Sequence, residues 1–283
     1  EYKIQIWDEI KIFLTDDDFV ELQQVKENTN LPEEWERIKF DKVDIVFEDS
    51  DLFIINKTSG INVHPGDHKT KETNIIAQVQ DYLGDKLNSL TFKPSLIHRI
   101  DRDTSGILMI AKKKDILSRL VNDFKSHEKV KKTYYAVVLW KLSRDSWTIT
   151  KKLLRIENAK NEAKVQVSES GQTAISHYKK IAEHIVKWPK WDIILSEVEV
   201  QIETGRMHQI RVHMAALWNP IICDRSYWDK QSNAYFSRVY WLNRQALHAW
   251  KIEFFHYGRN KKMELTAKFR NDLVNFLDKI KNK

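Results

Sequence analysis

Residues 98–106 read His-Arg-Ile-Asp-Arg-Asp-Thr-Ser-Gly, and the apolar run Ile107–Ile110 follows them directly. The apolar run predicts a buried strand, so we expect the charged segment to lie on the loop at one end of that strand. Rigid scaffolds commonly present reactive groups from such loops. Most charged loops between strands are nevertheless ordinary solvated turns, and Asp101 alone would not identify a catalytic site.

A second segment, Thr204–His213, reads Thr-Gly-Arg-Met-His-Gln-Ile-Arg-Val-His. It follows residues 197–203, where apolar and polar residues alternate as in a strand with one buried face. Apolar residues then recur at helical spacing, which predicts a helix that packs one stripe against the core. The positions of this stripe are Met207, Ile210, Met214 and Leu217. His208 and Arg211 lie three residues apart and therefore share one flank of the helix. Read alone, this segment could be a surface helix with ordinary Arg and His residues.

Taken together, the two segments resemble the signatures H-R-[LI]-D-x-x-T-S-G and G-R-x-H-Q-[IL]-R-V-H of the RluA/RluD-type pseudouridine synthases. In that family the Asp of the first signature is the catalytic group, and the last Arg of the second signature pairs with it. The resemblance implies that Asp101 is the candidate nucleophile and that Arg211 is its partner.

Three further segments follow in the order that the family shows. Phe53–Gly66 is similar to the family's first segment, with Thr58 where the family usually has Pro. Lys132–Val138 is similar to a K-x-Y-x-A-x-V strand whose first Tyr lines the active site, so Tyr134 takes that role. Asn243–Trp250 resembles a late R-Q-x-L-H-A strand, which we interpret as structural.

Conversion of uridine to pseudouridine breaks a glycosidic bond, turns the base and rejoins it through carbon. Nothing is oxidised and no group comes from outside, so the resemblance implies neither a cofactor nor a metal. The reaction needs an ionised carboxylate in a dry pocket, and an Arg partner favours that ionised form. Asp101 and Arg211 would supply this pair, while Tyr134 can stack on the uracil and present its hydroxyl. Attack by Asp101 on the base, attack on the ribose and removal of a sugar proton all stay open.

A uridine inside folded RNA must leave its stack before an enzyme can act on it. By resemblance, Arg99, two residues before Asp101, fills the space that the flipped nucleotide leaves. The alternative is that Arg99 pairs with Asp103 or with a phosphate. The further residues for which we expect RNA contacts are His98, Arg206, His208 and Gln209.

The composition agrees with a polyanionic partner. The chain carries 47 Lys and Arg against 40 Asp and Glu, which gives a net charge of +7 and a pI near 9.2. RNA is therefore the expected partner, with ribosomal RNA first and transfer RNA second. The single cysteine, Cys223, excludes an intrachain disulfide framework and a multi-cysteine zinc site, and it fits a reducing cytosol. No apolar run approaches the roughly 18 residues needed to span a bilayer, so we expect no membrane span. We expect the protein to be a cytoplasmic monomer without a membrane partner.

The resemblance to the family covers roughly residues 44–280, and we expect residues 44–283 to form the catalytic domain. The first residues, Glu1–Ile12, are similar to the last strands of the small RNA-binding domain named after ribosomal protein S four. We therefore expect residues 1–15 to be the remnant of a truncated domain of that type. Residues 16–43 are polar and acidic and are expected to form a linker.

Many strands, few helices and no regular βαβ alternation predict an α+β fold. Hydrophobic periodicity places strands at about 43–48, 52–56, 107–112, 133–139, 172–180, 192–203 and 246–255, and helices at about 72–83, 114–127, 206–217 and 270–281. The resemblance implies a mixed, largely antiparallel central sheet with flanking helices and a central active-site cleft.

Three alternative functions make different demands on the sequence. A catalytically inactive RNA-binding module would not need Asp101, Tyr134 and Arg211, which are all present. A zinc-dependent base deaminase needs His and Cys ligands with a Pro-Cys-x-x-Cys segment, which is absent. A protein kinase places Asp directly after His-Arg in its catalytic loop, whereas Ile100 intervenes here. A pseudouridine synthase acting on structured RNA is therefore favoured.

The chain has 10 Trp but only 7 Gly, although average glycine usage would give roughly 20 Gly. Several Trp stand where a turn or a helix end favours Gly, and Trp218, just before Asn219 and Pro220, is one of them. Our hypothesis is that these are UGA codons that the source organism reads as glycine. The set is Trp7, Trp140, Trp147, Trp188, Trp191, Trp218 and Trp228, whereas Trp250 matches a family aromatic. The alternative is a group of real aromatics on a surface that stacks with RNA.

Overall fold

The computed structural model describes residues 44–64, 74–84, 92–126, 129–157, 163–188 and 191–281. The expected remnant domain at 1–15 and the expected linker at 16–43 lie outside the described residues. Both stay predictions, as does the 44–283 extent of the catalytic domain. None of the helices in the described part of the chain has the length and apolar character needed to cross a membrane.

The described residues form eleven strands and five helices. In chain order the strands are β1 (Ile45–Glu48), β2 (Leu52–Lys57), β3 (Ser95–Leu96), β4 (Ser105–Ala111), β5 (Lys131–Leu139), β6 (Ser146–Glu157), β7 (Ala163–Val167), β8 (Gln172–Lys187), β9 (Asp192–Ile202), β10 (Leu247–His256) and β11 (Lys261–Thr266). The helices are α1 (Ile75–Leu83), α2 (Lys114–Ser126), α3 (Gln209–Ala216), α4 (Lys230–Tyr240) and α5 (Asn271–Lys281).

These strands join one sheet in the order β1-β2-β4-β10-β5-β9-β8-β6-β7, with β3 beside β4 and β11 beside β10. Strands β4 and β10 run parallel, and the other neighbouring pairs of the described strands are antiparallel. The expected α+β fold with a mixed, largely antiparallel sheet is confirmed. The charged loop and the strand with Tyr134 both belong to the middle of this sheet.

The two faces of the sheet carry separate apolar cores, because alternate residues of a strand point to opposite sides. In β4, Leu108 and Ile110 pack in one core together with residues of α1 and α5. Ile107 and Met109 pack in the other core together with residues of α2. Burial on both faces explains why β4 is a continuous apolar run and not an alternating one. The charged loop therefore enters a strand that is fixed from both sides.

Gly106 allows the close approach of β4 and β10. It pairs with Ala249 in the parallel register, and its φ is +112°. A Cβ at this position would lie 2.2 Å from the carbonyl oxygen of Ala249. Only glycine fits both the conformation and the space, so packing accounts for the Gly that ends the first signature.

Several elements differ from the sequence expectation. The helix expected at 206–217 begins only at Gln209, because His208 adopts a left-handed backbone conformation with φ +52°. The sequence patterns also do not predict α4 or the β6–β7 hairpin. Helix α4 buries one side chain per turn: Ser232, Phe236 and Tyr240. Its apolar stripe is therefore too narrow to be recognised from hydrophobic periodicity.

Left-handed backbone conformations also occur at Trp140, Trp218 and Trp241, with φ of 69°, 61° and 59°. Trp218 follows the last turn of α3, and the backbone N–H of Asn219 reaches back to Met214 O at 3.0 Å. This is the helix-ending arrangement in which glycine normally takes the left-handed position. Trp241, which the glycine hypothesis does not include, takes the left-handed cap of α4.

The other Trp of the hypothesis do not share this geometry. Trp147 lies inside β6, and neither Trp188 nor Trp228 has a left-handed backbone. Trp7 lies outside the described residues, and Trp191 directly follows undescribed ones. A left-handed turn therefore supports the glycine hypothesis at Trp140 and Trp218 and does not support it at Trp147, Trp188 or Trp228.

Trp218→Gly is expected to raise the free energy of unfolding by about 1 kcal/mol, because glycine adopts the left-handed conformation without a side-chain penalty. The Trp218 side chain is 83% exposed, so little apolar burial is lost. Urea denaturation measures the change. Trp147→Gly is the control and should lower stability, because Trp147 lies in a strand and stacks 3.5 Å from the Arg144 guanidinium. A loss of stability in Trp218→Gly would contradict the strain argument.

Candidate active site

A cleft opens where the charged loop, β5, the end of β9 and the start of α3 meet, close to the middle of the sheet. The two signature segments therefore contribute to one site, although 110 residues separate Asp101 from Arg211. Seven of the eight predicted site residues line this cleft: Arg99, Asp101, Tyr134, Arg206, His208, Gln209 and Arg211.

An ion pair joins the two signature segments in the cleft. Arg211 Nη1 donates to Asp101 Oδ2 at 3.0 Å, so the contact that the motifs predict is present. The Asp101 side chain is 25% exposed, whereas that of Arg211 is 7% exposed. The carboxylate thus reaches the open cleft, and the guanidinium lies behind it in the protein.

A second carboxylate, Asp224, holds Arg211 from the other side. Arg211 Nε and Nη2 donate to the two Asp224 oxygens at 2.7 and 2.9 Å. Asp224 is fully buried and also accepts the backbone N–H groups of Ser226 and Tyr227. Burial opposes the charge on Arg211, but the carboxylates of Asp224 and Asp101 together raise its pKa. A planar guanidinium fixed by two bonds to Asp224 presents its remaining nitrogen in one direction, toward Asp101.

A buried lysine fixes the loop that carries Asp101. Lys57 is 1% exposed, and its Nζ donates to the backbone oxygens of Thr58, Ile61 and Arg102 at 2.7, 3.0 and 2.7 Å. Burial lowers the pKa of Lys57 to about 7. Because Arg102 directly follows Asp101, the third bond fixes the backbone next to the catalytic candidate.

The far end of the same loop is tied to the late Asn243–Trp250 segment. Gln245 Nε2 donates to Thr104 Oγ1 at 3.0 Å. Ser105 Oγ lies 2.8 Å from His248 Nδ1, and both side chains are fully buried. These contacts agree with the structural interpretation of the late segment.

Tyr134 lies on β5 and lines the cleft with Asp101. Burial, together with the neighbouring Asp101 charge, raises the pKa of its hydroxyl above the usual value for tyrosine. The phenol therefore keeps its hydrogen at neutral pH. It can stack through its ring and donate a hydrogen bond, which are the two roles expected from the resemblance.

Three of the predicted RNA-binding residues are accessible from the cleft. Arg99 and Arg206 are exposed, and Arg206 Nε donates to Thr173 O at 3.3 Å. His208 is half-buried, and its Nε2 lies 3.9 Å from Asp101 Oδ2. The two arginines can therefore meet a polyanion, and the histidine lies beside the carboxylate.

His98 is the predicted site residue that does not line the cleft. Its ring stacks on Phe124 with centroids 4.9 Å apart, and its Nε2 accepts the N–H of Met109 at 3.1 Å. Burial lowers the pKa of His98 to about 3, so the ring is neutral. The structure thus gives His98 contacts inside the protein, and its contact with RNA stays a prediction.

Gln209 is likewise engaged inside the protein. It is 3% exposed, and its amide oxygen accepts from Thr204 Oγ1 and from the backbone N–H of Arg206. Its amide nitrogen donates to Ile175 O and Ser176 Oγ. Both ends of the amide are therefore in use, and Gln209 ties the start of α3 to β8 at the edge of the cleft. Its contact with RNA stays a prediction.

Three residues that shape the cleft were not predicted as site residues: Lys57, Asp224 and Tyr227. The last two stand in Asp-Arg-Ser-Tyr-Trp, which resembles the family pattern D-x-x-Y-G apart from Trp228. This pattern was the available signal, together with the need of a buried Arg for a second acidic partner. Neither signal says that Asp224 is the partner of Arg211.

A family model described as RNA pseudouridylate synthase matches residues 51–216 of the chain. The chain is 34% identical over 258 residues to "Uncharacterized RNA pseudouridine synthase YhcT" of Bacillus subtilis, covering 91% of this chain and 76% of that protein. It is 33% identical over 270 residues to "Ribosomal large subunit pseudouridine synthase C" of Buchnera aphidicola subsp. Baizongia pistaciae, covering 94% and 78% of the two chains.

Among solved structures, "Human RNA Pseudouridylate Synthase Domain Containing 4" superposes with a TM-score of 0.65. The two chains are 20% identical, and the match covers 84% of this chain and 92% of the human one. This likeness shows that the two chains share a fold.

Asp224→Asn is expected to lower the free energy of unfolding by about 3 kcal/mol, because the buried Arg211 guanidinium loses half of its charge compensation. Glu253→Gln is the control. Glu253 binds Lys131 at 3.2 Å, and the two side chains are 47% and 58% exposed, so water can replace the lost charge. Its loss should be at most about 1 kcal/mol. Urea denaturation compares the two variants, and equal losses would contradict the role given to Asp224.

Proposed function

The chain belongs to the RNA pseudouridylate synthase family, and on that premise we propose that Asp101 is its catalytic carboxylate. We further propose that the enzyme acts on flipped-out uridines of large-subunit ribosomal RNA. Family membership makes the chain an isomerase that forms pseudouridine in RNA. The roles of the residues and the choice of RNA are the proposed part.

The contact between Asp101 and Arg211 supports this role most directly. Arg211 donates to Asp101 Oδ2, and His208 Nε2 also faces that oxygen. Within the described part of the chain, no side chain or backbone group donates a hydrogen bond to Asp101 Oδ1. A carboxylate with one oxygen held and the other open to a cleft is aimed and available to a bound uridine.

Uridine and pseudouridine are isomers, so the reaction neither adds nor removes atoms. The bond from N1 to C1′ breaks, a bond from C5 to C1′ forms, and one proton moves from C5 to N1. Asp101 can act as a nucleophile toward the ribose or the base, or as a base toward a sugar proton, and each route uses the charged form. Tyr134 supplies a ring to stack on the uracil and a protonated hydroxyl beside it.

The shape of the cleft supports base flipping. The Asp101 side chain is three-quarters buried, so a uridine stacked inside a helix would be held away from it. Arg99 is exposed, lines the cleft and precedes Asp101 by two residues, which suits a side chain that fills the vacated space. Arg206 is also exposed at the cleft, where its guanidinium can bind a phosphate of the RNA.

The choice of large-subunit ribosomal RNA rests on the relatives. One relative that aligns with 94% of this chain is named for the ribosomal large subunit. Transfer RNA is the second candidate substrate. A catalytically inactive RNA-binding module is disfavoured, because Asp101, Tyr134 and Arg211 line the same cleft.

Asp101→Asn is expected to reduce pseudouridine formation below about 1% of the parent rate, because the amide keeps the shape of the carboxylate but not its charge. RNA affinity should change by less than about threefold, since phosphate contacts elsewhere supply most of it. Tritium release from carbon 5 of labelled uridine measures turnover, and fluorescence anisotropy measures binding.

Asp103→Asn is the matched control, because Asp103 lies on the same loop without a contact to Arg211 and should keep at least about half of the parent rate. Parallel reactions on large-subunit ribosomal RNA and on bulk transfer RNA identify the substrate. Turnover by Asp101→Asn near the parent rate would contradict the catalytic assignment. Release from transfer RNA alone would contradict the choice of ribosomal RNA.

A further inference from the structure

We infer that His208 is a positioning residue for Asp101, held as the neutral tautomer with its proton on Nε2 directed at the carboxylate. This inference rests on the proposed catalytic role of Asp101. The groups that set the tautomer are Tyr227 and Val165, which both lie outside the two signature segments.

The hydroxyl of Tyr227 is the group that selects the tautomer. Its oxygen accepts the backbone N–H of Val165 at 3.0 Å and lies 2.8 Å from His208 Nδ1. Burial raises the pKa of Tyr227 to about 12, so the hydroxyl keeps its hydrogen. In the part of the chain that the structure describes, the bond to Nδ1 is the only other hydrogen bond of this hydroxyl. Because the N–H of Val165 already occupies an acceptor position of the oxygen and can only donate, we assign the phenol hydrogen to Nδ1, which is then the unprotonated ring nitrogen.

The remaining proton of His208 then faces Asp101. Burial lowers the pKa of His208, so the ring is neutral at neutral pH and carries its single proton on Nε2. Nε2 lies 3.9 Å from Asp101 Oδ2, the oxygen that Arg211 Nη1 already holds. This distance exceeds that of a hydrogen bond, but catalytic contacts commonly tighten only in the substrate complex. Two donors on Oδ2 leave Oδ1 to the uridine.

The backbone at His208 fits this role and not that of a helix cap. His208 stands at the N-cap of α3, yet its side chain makes no capping hydrogen bond. Its φ of +52° is uncommon for a residue with a side chain and must be offset by surrounding contacts. The ring packs edge-on against Tyr227, with centroids 5.6 Å apart. The local conformation therefore turns the imidazole toward the cleft.

Tyr227 contacts both donors of the carboxylate. The Arg211 guanidinium carbon lies 5.1 Å from the centre of the Tyr227 ring. The backbone N–H of Tyr227 donates to Asp224, the acidic partner of Arg211. The short segment from Asp224 to Tyr227 thus positions Arg211 and His208 together, so the two partners of Asp101 share one support.

Nitrogen NMR of protein with isotope-labelled histidine tests the tautomer directly. The His208 signals, identified by their absence in His208→Gln, should show one proton, bound to Nε2. Tyr227→Phe should change this pattern to a mixture of tautomers, because Nδ1 loses its donor. Tyr257→Phe is the control, since that hydroxyl binds Asp123 outside the cleft, and it should change nothing. A proton on Nδ1 in the parent protein, or no change in Tyr227→Phe, would overturn the inference.

Two amide variants test the consequence for catalysis. The amide nitrogen of Gln replaces Nε2 of histidine, whereas that of Asn replaces Nδ1. His208→Gln should keep kcat within about threefold of the parent, and His208→Asn should lose about tenfold, the value of one hydrogen bond. The KM for RNA should be similar in both. Equal kcat values for the two variants would overturn the positioning role. An inactive parent protein would instead contradict the proposed function, and the NMR result would still decide the tautomer.

Discussion

The cleft depends on one buried guanidinium, that of Arg211. A cation removed from water needs carboxylates close by, and Arg211 has two: Asp224 behind it and Asp101 in front. Asp224 is fully buried and is fixed by backbone N–H groups, so the plane of the guanidinium is fixed too. The direction of its last nitrogen then determines where the Asp101 carboxylate lies. Arg211 donates to Asp101 Oδ2, and among the described residues no donor reaches Oδ1.

The central sheet holds the loop that carries Asp101 in a fixed position. Strand β4 is buried on both faces, and Gly106 lets it approach β10 more closely than any other residue would. Lys57 binds the backbone at Arg102, while Gln245 binds the loop at Thr104. The loop is therefore held on both sides of Asp101. Because these contacts come from segments far apart in sequence, the carboxylate is positioned by the fold as a whole.

The sequence predicts those parts of the site that lie in continuous signatures. The resemblance predicts the pair of Asp101 and Arg211, because each residue lies in a continuous signature. It also predicts the mixed sheet, because the signatures follow one another in the order of the family. Asp224 lies in a segment that resembles the family pattern D-x-x-Y-G, but the pattern does not reveal its buried contact with Arg211, which forms only in the fold. Gln209 shows another limit of the sequence: the motif predicts it at the cleft, but not that it is buried and bonded to β8. Burial of polar side chains is decided by tertiary contacts that hydrophobic periodicity does not report.

The most direct test of the central role of Arg211 is a double-mutant cycle on the single-turnover rate of pseudouridine formation. The cycle combines Arg211→Lys, which loses the planar two-bond geometry, with Asp224→Asn, which removes the partner that fixes it. If the two residues act on Asp101 as one unit, the double variant should be no more than about threefold slower than the slower single variant. Losses that multiply would mean that Asp224 and Arg211 act separately, and they would contradict this account of the cleft.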